Sequence, residues 1–186
     1  MHKGGLEIDM PTCAHLFAGG GGDTDGAIRA GYEPLWAVEF DPYAASVYRK
    51  RFPQINLIEA DITSLSDEFI QYLSVPDILI GGSPCPDFSL AGKRAGINGD
   101  RGSLFFEFVR FLRLLQPSAF VFENVGGMLS SGGGEDFKKI IESFGQVGYM
   151  GTWQSRNGGR WVPQNRKRVF CVGYHWKHSV QQSRTK

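Results

Sequence analysis

Cysteine is scarce in this chain, with three among 186 residues, at positions 13, 85 and 171. So few, so far apart and odd in number, they exclude the disulfide framework that holds small secreted domains together and point to a reducing compartment. Cysteine pairs at zinc spacing are missing as well, so the neighbouring His175 and His178 read as residues of a C-terminal tail and not as metal ligands. No apolar run approaches the ~20 residues of a membrane span, and the N-terminus has no charged start followed by an apolar core. A soluble intracellular protein is the expectation. Net charge is almost absent, at +1, and by itself announces no polyanionic partner. Acid is missing most unevenly. Nothing after Glu142 is Asp or Glu, while Arg156, Arg160, Arg166, Lys167, Arg168, Lys177, Arg184 and Lys186 all fall in that stretch. The basic block is either a solvated coat or a phosphate-facing surface.

Hydrophobic residues make up 41% of the chain, which fits one globular domain with a real core, and neither an internal repeat nor a second domain fits. The chain is organised around Asp77-Ile-Leu-Ile-Gly-Gly-Ser-Pro-Cys-Pro-Asp-Phe-Ser89. Ile78, Leu79 and Ile80 are the short apolar run of a covered parallel strand. Gly81-Gly82 turn the chain, and Pro84 and Pro86 stiffen it on either side of Cys85. The thiol is thereby presented at the carboxyl edge of a sheet, where open α/β sheets bind ligands. A structural cysteine sits inside an apolar element and needs no flanking prolines. A nucleophilic one needs help from its surroundings, since a free thiol with pKa ~8.5 is only a few per cent thiolate at neutral pH.

Around that stretch the chain reads as alternating strands and helices. Thr12–Ala18 is a first strand opening into the glycine loop Gly19–Gly22, and Thr24–Ala30 is a helix ended by Gly31. Such a loop lets a ligand approach the backbone beside a helix N-terminus. Leu35–Phe40 is the next strand, and its Glu39 stands where a βαβ nucleotide site keeps the carboxylate that takes two ribose hydroxyls. Asp41-Pro42 starts a helix in which Tyr43, Val47 and Tyr48 share a face. Ile55–Glu59 is a third strand, and Asp61 beyond it is either a helix cap or an acceptor for an adenine amino group. Residues 91–102 form a loop without periodicity, long enough for a lid or plain surface. Ser103–Leu115 is a core helix carrying Leu104, Phe105, Phe108, Val109, Leu112 and Leu115. Ala119–Phe122 is a buried strand ending on Glu123-Asn124-Val125, next in sheet order to the cysteine strand. Glu123 is either a capping carboxylate or an acid facing the same substrate as Cys85. Ser130–Gly134 is a flexible link, Glu135–Phe144 a helix, and Thr152–Ser155 and Arg168–Tyr174 are strands.

In order and spacing, Leu16-Phe-Ala-Gly-Gly-Gly-Gly22, Glu39, Asp61, Pro84-Cys85 followed by Phe88-Ser89, Glu123-Asn124-Val125 and Pro163-Gln164-Asn-Arg166-Lys-Arg168 resemble the ordered motifs of the cytosine-C5 DNA methyltransferases. The resemblance runs from about residue 12 to residue 174, leaving 175–186 as a tail. It implies a doubly wound, Rossmann-like α/β domain that binds S-adenosylmethionine and methylates a flipped cytosine in DNA, in the cytoplasm or at the nucleoid, with no metal; tRNA-methylating relatives share the motifs. On this resemblance Phe17 and Phe40 flank the adenine, Glu39 takes the ribose and Asp61 the adenine amino group. Gly19, Gly21, Gly22 and Ile62 belong to the same cofactor site, and Pro84 and Leu104 complete its wall. Cys85 is then the nucleophile at cytosine C6, Glu123 the donor to N3, and Arg166 and Arg168 the pair that holds O2.

Three features depart from the family pattern: His15 in place of an acid, Gly20 in place of an aliphatic residue, and Pro86-Asp87 in place of a glutamine after the cysteine. Complete members also continue into a target-recognition region and a Gly-Asn segment that packs on the cofactor pocket. The expectation is therefore a catalytic half of a split or truncated enzyme, served by a second polypeptide. Two rival readings are a non-catalytic partner that keeps the fold, against which intact Cys85 and Glu123 argue, and a nicotinamide oxidoreductase, which leaves Pro-Cys and Glu-Asn-Val unexplained.

Overall fold

Strand and helix alternate from the start of the computed structural model, which describes residues 10–84, 103–160 and 163–177. Its elements are β1 (Thr12–Leu16), α1 (Gly22–Arg29), β2 (Glu33–Glu39), α2 (Pro42–Arg51), β3 (Asn56–Glu59), α3 (Asp67–Tyr72), β4 (Ile78–Gly81), α4 (Ser103–Leu115), β5 (Ala119–Val125), α5 (Glu135–Gln146), β6 (Tyr149–Asn157) and β7 (Lys167–His175). The strands form one sheet in the order β3-β2-β1-β4-β5-β7-β6. Strands β1 to β5 are parallel, and β7 runs antiparallel to both β5 and β6. The chain winds outward from β1 on one side and from β4 on the other. The carboxyl ends of β1 and β4 are thus the switch point at which a doubly wound sheet opens a crevice.

Side-chain alternation decides what covers each face. Leu79, Phe120, Phe122, Val169 and Cys171 are buried together with Phe105, Phe108, Phe111 and Leu112 of α4 and Ile140 and Phe144 of α5. The aromatic rings interlock, with centroids 4.3 Å apart for Phe120 and Phe144 and 5.1 Å for Phe108 and Phe122. Fully burying each such side chain contributes about 1.5–3 kcal/mol, so this layer holds β4 and β5 rigidly at the switch point. Phe111 joins the buried stripe of α4, one position outside the face read from the sequence.

On the other face Tyr48 of α2 packs with Ala18, Ala37, Phe52 and Ile55, and Ala45 of the same helix is buried. Tyr48 is the one member of the Tyr43, Val47, Tyr48 stripe that is buried; Tyr43 and Val47 are 81% and 49% exposed. The helix leans on the sheet through Ala45 and Tyr48, three residues apart, which turns the other two outward.

Several bounds differ from the sequence reading for one reason, long-range pairing. β5 continues past Phe122 to Val125 because β7 pairs with it that far, Val125 opposite Arg168. β6 and β7 each run nine residues because they pair along their whole length. His175 is not tail: it ends β7, 2% exposed, edge-on to Tyr149 at 5.0 Å between ring centroids. The glycine stretch before α5 is a 3-10 turn with Gly132, Gly133 and Gly134 at positive φ. Among the described residues no helix is long and apolar enough to cross a membrane.

Candidate active site

A cavity of about 520 Å³ opens where the carboxyl ends of β1, β2, β3 and β4 come together. Phe17 and Gly19 line it from β1, Val38, Glu39, Phe40 and Asp41 from β2, Ala60, Asp61 and Ile62 from β3, Gly82 and Pro84 from β4, and Leu104 from the start of α4. Phe17 sits at φ 56, a left-handed conformation that costs a non-glycine residue on the order of 1–3 kcal/mol and concentrates at functional sites. Gly19 and Gly21 follow at φ 55 and 85, so the loop reverses direction within five residues.

Of the three carboxylate residues lining the cavity, Asp41 caps α2 by accepting the Ala44 N–H at 2.8 Å, and Glu39 and Asp61 are held differently. Glu39 Oε2 accepts the Gly19 N–H at 2.7 Å and Oε1 accepts the Asp41 N–H at 2.7 Å. Each oxygen keeps a further lone pair for a ligand hydroxyl. Asp61 is an N-cap, its Oδ1 accepting from the Thr63 N–H at 2.9 Å and the Thr63 hydroxyl at 2.7 Å. Those bonds use one oxygen, so the cap and a ligand contact through Oδ2 are compatible. Gly21 and Gly22 are not among the lining residues. A Cβ on Gly21 would lie 2.3 Å from the Phe52 ring, and Gly22 is the first residue of α1.

Beside the cavity, β4, β5 and β7 build a second corner. Glu123 on β5 and Arg168 on β7 lie diagonally across the ladder on one face, and Arg168 Nε meets Glu123 Oε1 at 2.7 Å. Glu123 folds over Gly82: a Cβ there would lie 2.7 Å from Oε2 and 2.9 Å from the Glu123 carbonyl oxygen. The Gly81-Gly82 pair therefore answers to close approach as well as to turning, since a Cβ on Gly81 would meet the Leu16 carbonyl oxygen at 2.8 Å. Burial pushes the Glu123 carboxyl above its ordinary value, Arg168 and Arg166 draw it back, and Asp23 at the start of α1 raises it again. Arg166 itself is exposed just ahead of β7, its N–H bonded to Asn157 Oδ1 at 3.2 Å.

Asn124, next to Glu123, points to the opposite face and donates to the Ser83 carbonyl and hydroxyl at 3.3 and 3.4 Å. It ties β5 to the segment that leaves β4. Cys85, with the rest of residues 85–102, lies outside the described residues; the described chain reaches Pro84, at the cavity wall. Cys13 and Cys171 are buried, and burial pushes both thiols up to about 12. They are neutral at physiological pH and unsuited to nucleophilic work. Among the described residues no cluster of three or more His, Cys, Asp or Glu is placed to hold a metal.

Sequence reasoning did not select Asp23, Val38, Asp41, Ala60, Gly82 or Asn124. In the sequence Gly82 reads only as half of a turn and Asn124 only as the middle of Glu123-Asn124-Val125. Asp23 directly follows the glycine loop, which is the one local signal it carries; its electrostatic effect on Glu123 depends on the sheet order, which sets β1 two strands from β5.

Residues 12–186 match the family model for C-5 cytosine-specific DNA methylase. The chain belongs to that family. It is 38% identical over 169 residues to the type II methyltransferase M1.HphI of Haemophilus parahaemolyticus, covering 87% of this chain and 45% of that protein. It is 38% identical over 172 residues to the type II methyltransferase M.AquIA of Picosynechococcus sp., covering 85% of this chain and 69% of that one. Among solved structures it is similar to a prophage-encoded Escherichia coli protein assigned as a DNA modification methyltransferase, with a TM-score of 0.75, 27% identity, and coverage of 92% of this chain and 48% of the other. The chain thus spans about half the length of most of the methyltransferases it matches.

Two departures of this methylase chain have a place in the structure. His15 is 1% exposed, its Nε2 3.4 Å from Cys13 Sγ, and burial lowers its pKa to about 4. It is a neutral residue of the core under α1 and α2 and contributes no charge to the cavity. Gly20 faces Val47, whose Cγ1 would lie 3.3 Å from a Cβ there.

Proposed function

We propose that this chain carries the catalytic half of a cytosine-C5 DNA methyltransferase. In this reading S-adenosylmethionine occupies the cavity at the β1–β4 switch point, and a flipped cytosine occupies the Glu123–Arg168 corner. The observation that carries it is the Glu123 carboxyl, held by Arg168 at 2.7 Å and lying over Gly82, three residues before Cys85. On this reading an acid and a nucleophile share one edge, beside a cavity of about 520 Å³.

The residues fit that cofactor. Phe17, Phe40, Ile62 and Leu104 offer apolar walls to an adenine, Glu39 has free lone pairs for ribose hydroxyls, and Asp61 Oδ2 suits an exocyclic amine. When bound, S-adenosylmethionine supplies an electrophilic methyl group.

The chain's own residues make cytosine able to accept it. C5 of cytosine is a poor nucleophile. Attack of the Cys85 thiolate on C6 forms a C–S bond while Glu123 donates a proton to N3, and the ring becomes an enamine nucleophilic at C5. After C5 is alkylated, the C5 proton passes to water acting as base, the thiolate leaves C6, and N3 returns its proton to Glu123, which restores the neutral aromatic ring, the thiolate and the acid. A carboxyl raised by burial is the right donor, because it stays protonated closer to neutral pH. Arg168 orients Glu123 and, with Arg166, presents guanidinium donors to the base O2.

C6 is unreachable inside a base stack, and extruding the nucleotide costs a few kcal/mol. We assign the contacts that supply this energy, and target recognition with them, to sequence outside these residues, in keeping with relatives about twice as long. The test is covalent trapping with duplex DNA carrying 5-fluorocytosine, using this chain joined by whatever polypeptide completes it. Fluorine cannot leave as a proton does, so an adduct should accumulate, and Cys85→Ala should abolish it. An adduct that survives the substitution, or maps to Cys13 or Cys171, sinks the mechanism.

A further inference from the structure

We propose that Arg51, at the end of α2 and outside the cavity, is a positioning residue that holds the glycine loop in its ligand-ready shape. Four consecutive glycines, Gly19 to Gly22, lose more conformational entropy on ordering than any other tetrapeptide, so their shape has to be imposed from outside. Two contacts come from the far end of α2. Arg51 Nη1 donates to the Gly20 carbonyl at 2.6 Å. The next residue, Phe52, is 7% exposed, and its ring lies so close under Gly21 that a Cβ there would be 2.3 Å away.

The two residues also hold each other. The Arg51 guanidinium lies 4.9 Å from the centroid of the Phe52 ring, a cation–π distance, and Asp25 of α1 stands 3.9 Å from its second nitrogen. The guanidinium is therefore aimed at the loop from one side by an aromatic face and from another by a carboxylate. With Gly20 pinned and Gly21 seated on Phe52, the Gly21 N–H closes a turn on the Ala18 carbonyl at 2.9 Å and the Gly19 N–H reaches Glu39 at 2.7 Å. The clamp thus fixes, from outside, the backbone that sets the cavity carboxylate. A loop ordered in advance spares a ligand the cost of ordering it.

The proposal about affinity rests on the cofactor reading above, but the clamp itself is measurable without a ligand. The experiment compares the 186-residue chain with Arg51→Met and Arg51→Lys by site-resolved amide hydrogen exchange, thermal denaturation and calorimetric titration with S-adenosylmethionine. In Arg51→Met the Gly19 and Gly21 amides should exchange roughly tenfold faster, the equivalent of one charge-assisted hydrogen bond, while amides of β1, β4 and β5 keep their rates. The dissociation constant for S-adenosylmethionine should rise about three- to tenfold, and Arg51→Lys, which keeps one donor, should fall between. A merely structural Arg51 would accelerate exchange evenly through α1 and α2. That even pattern, or unchanged loop exchange in Arg51→Met, overturns the proposal. Loop exchange that follows Arg51 in a chain with no affinity for S-adenosylmethionine would uphold the clamp and refute the cofactor reading.

Discussion

Replacing Gly82 with alanine adds one carbon where the structure has no room for it. The new Cβ would sit 2.7 Å from Glu123 Oε2 and 2.9 Å from the Glu123 carbonyl oxygen, both inside the 3.0 Å that real Cβ atoms respect. The carboxylate could swing aside, being the end of a side chain. The carbonyl cannot, because Glu123 is paired with Phe170 of β7 and the preceding Phe122 with Gly81 of β4. Swinging the carboxylate breaks its 2.7 Å contact with Arg168, and shifting the carbonyl strains the ladder. Overpacking of this kind costs about 1–3 kcal/mol, and for a chain of this size each kcal/mol lowers Tm by roughly 2–4 °C. The functional loss should be larger, since a catalytic group moved by about 1 Å can lose on the order of 100-fold in rate. Thermal denaturation reads the first effect and, under the proposed function, the rate of adduct formation on 5-fluorocytosine DNA in the trapping assay above reads the second. A Gly82→Ala protein that melts like the wild type and traps DNA at the wild-type rate would refute the reasoning, because Glu123 could then not lie where it is placed.

Gly20→Ala should act in the opposite direction: its Cβ meets only the half-exposed Val47 at 3.3 Å and Gly20 has no positive φ, so Tm should rise in line with about 0.4–1 kcal/mol of reduced unfolded-state entropy. Glu39→Gln and Asp61→Asn should each weaken S-adenosylmethionine by on the order of 1–3 kcal/mol, with calorimetric titration as the measurement; unchanged affinity in both would mean the cofactor lies elsewhere. The raised Glu123 carboxyl has a definite linkage sign. Because folding favours its protonated form, its contribution to stability is full below the unfolded glutamate value near pH ~4.3 and is lost as pH rises through the higher folded value. Glu123→Gln should therefore gain stability relative to the wild type as pH is raised across that window, followed by denaturant titrations at stepped pH, even as it abolishes trapping.

The fold was legible in the sequence where the signal is local. Apolar runs bounded by glycine and proline became β1 to β5 close to where they were read, and α4 spans Ser103–Leu115 as its periodicity required. The cavity residues Phe17, Gly19, Glu39, Phe40, Asp61 and Pro84 were legible for the same reason: each lies at or just beyond the end of its own strand, and in a parallel sheet all such ends gather at one edge. What could not be read was anything set by which strand neighbours which. β7 turns antiparallel and slips between β5 and β6, and that insertion carries Arg168 onto Glu123, extends β5 to Val125 and takes His175 into the core. The need for Gly82, the reach of Asn124 to Ser83 and the grip of Arg51 on Gly20 are contacts between residues up to 41 positions apart. No local pattern encodes such distances. They exist because the sheet brings separate edges within a few ångströms, and sterics and hydrogen bonding then select the residues that fit.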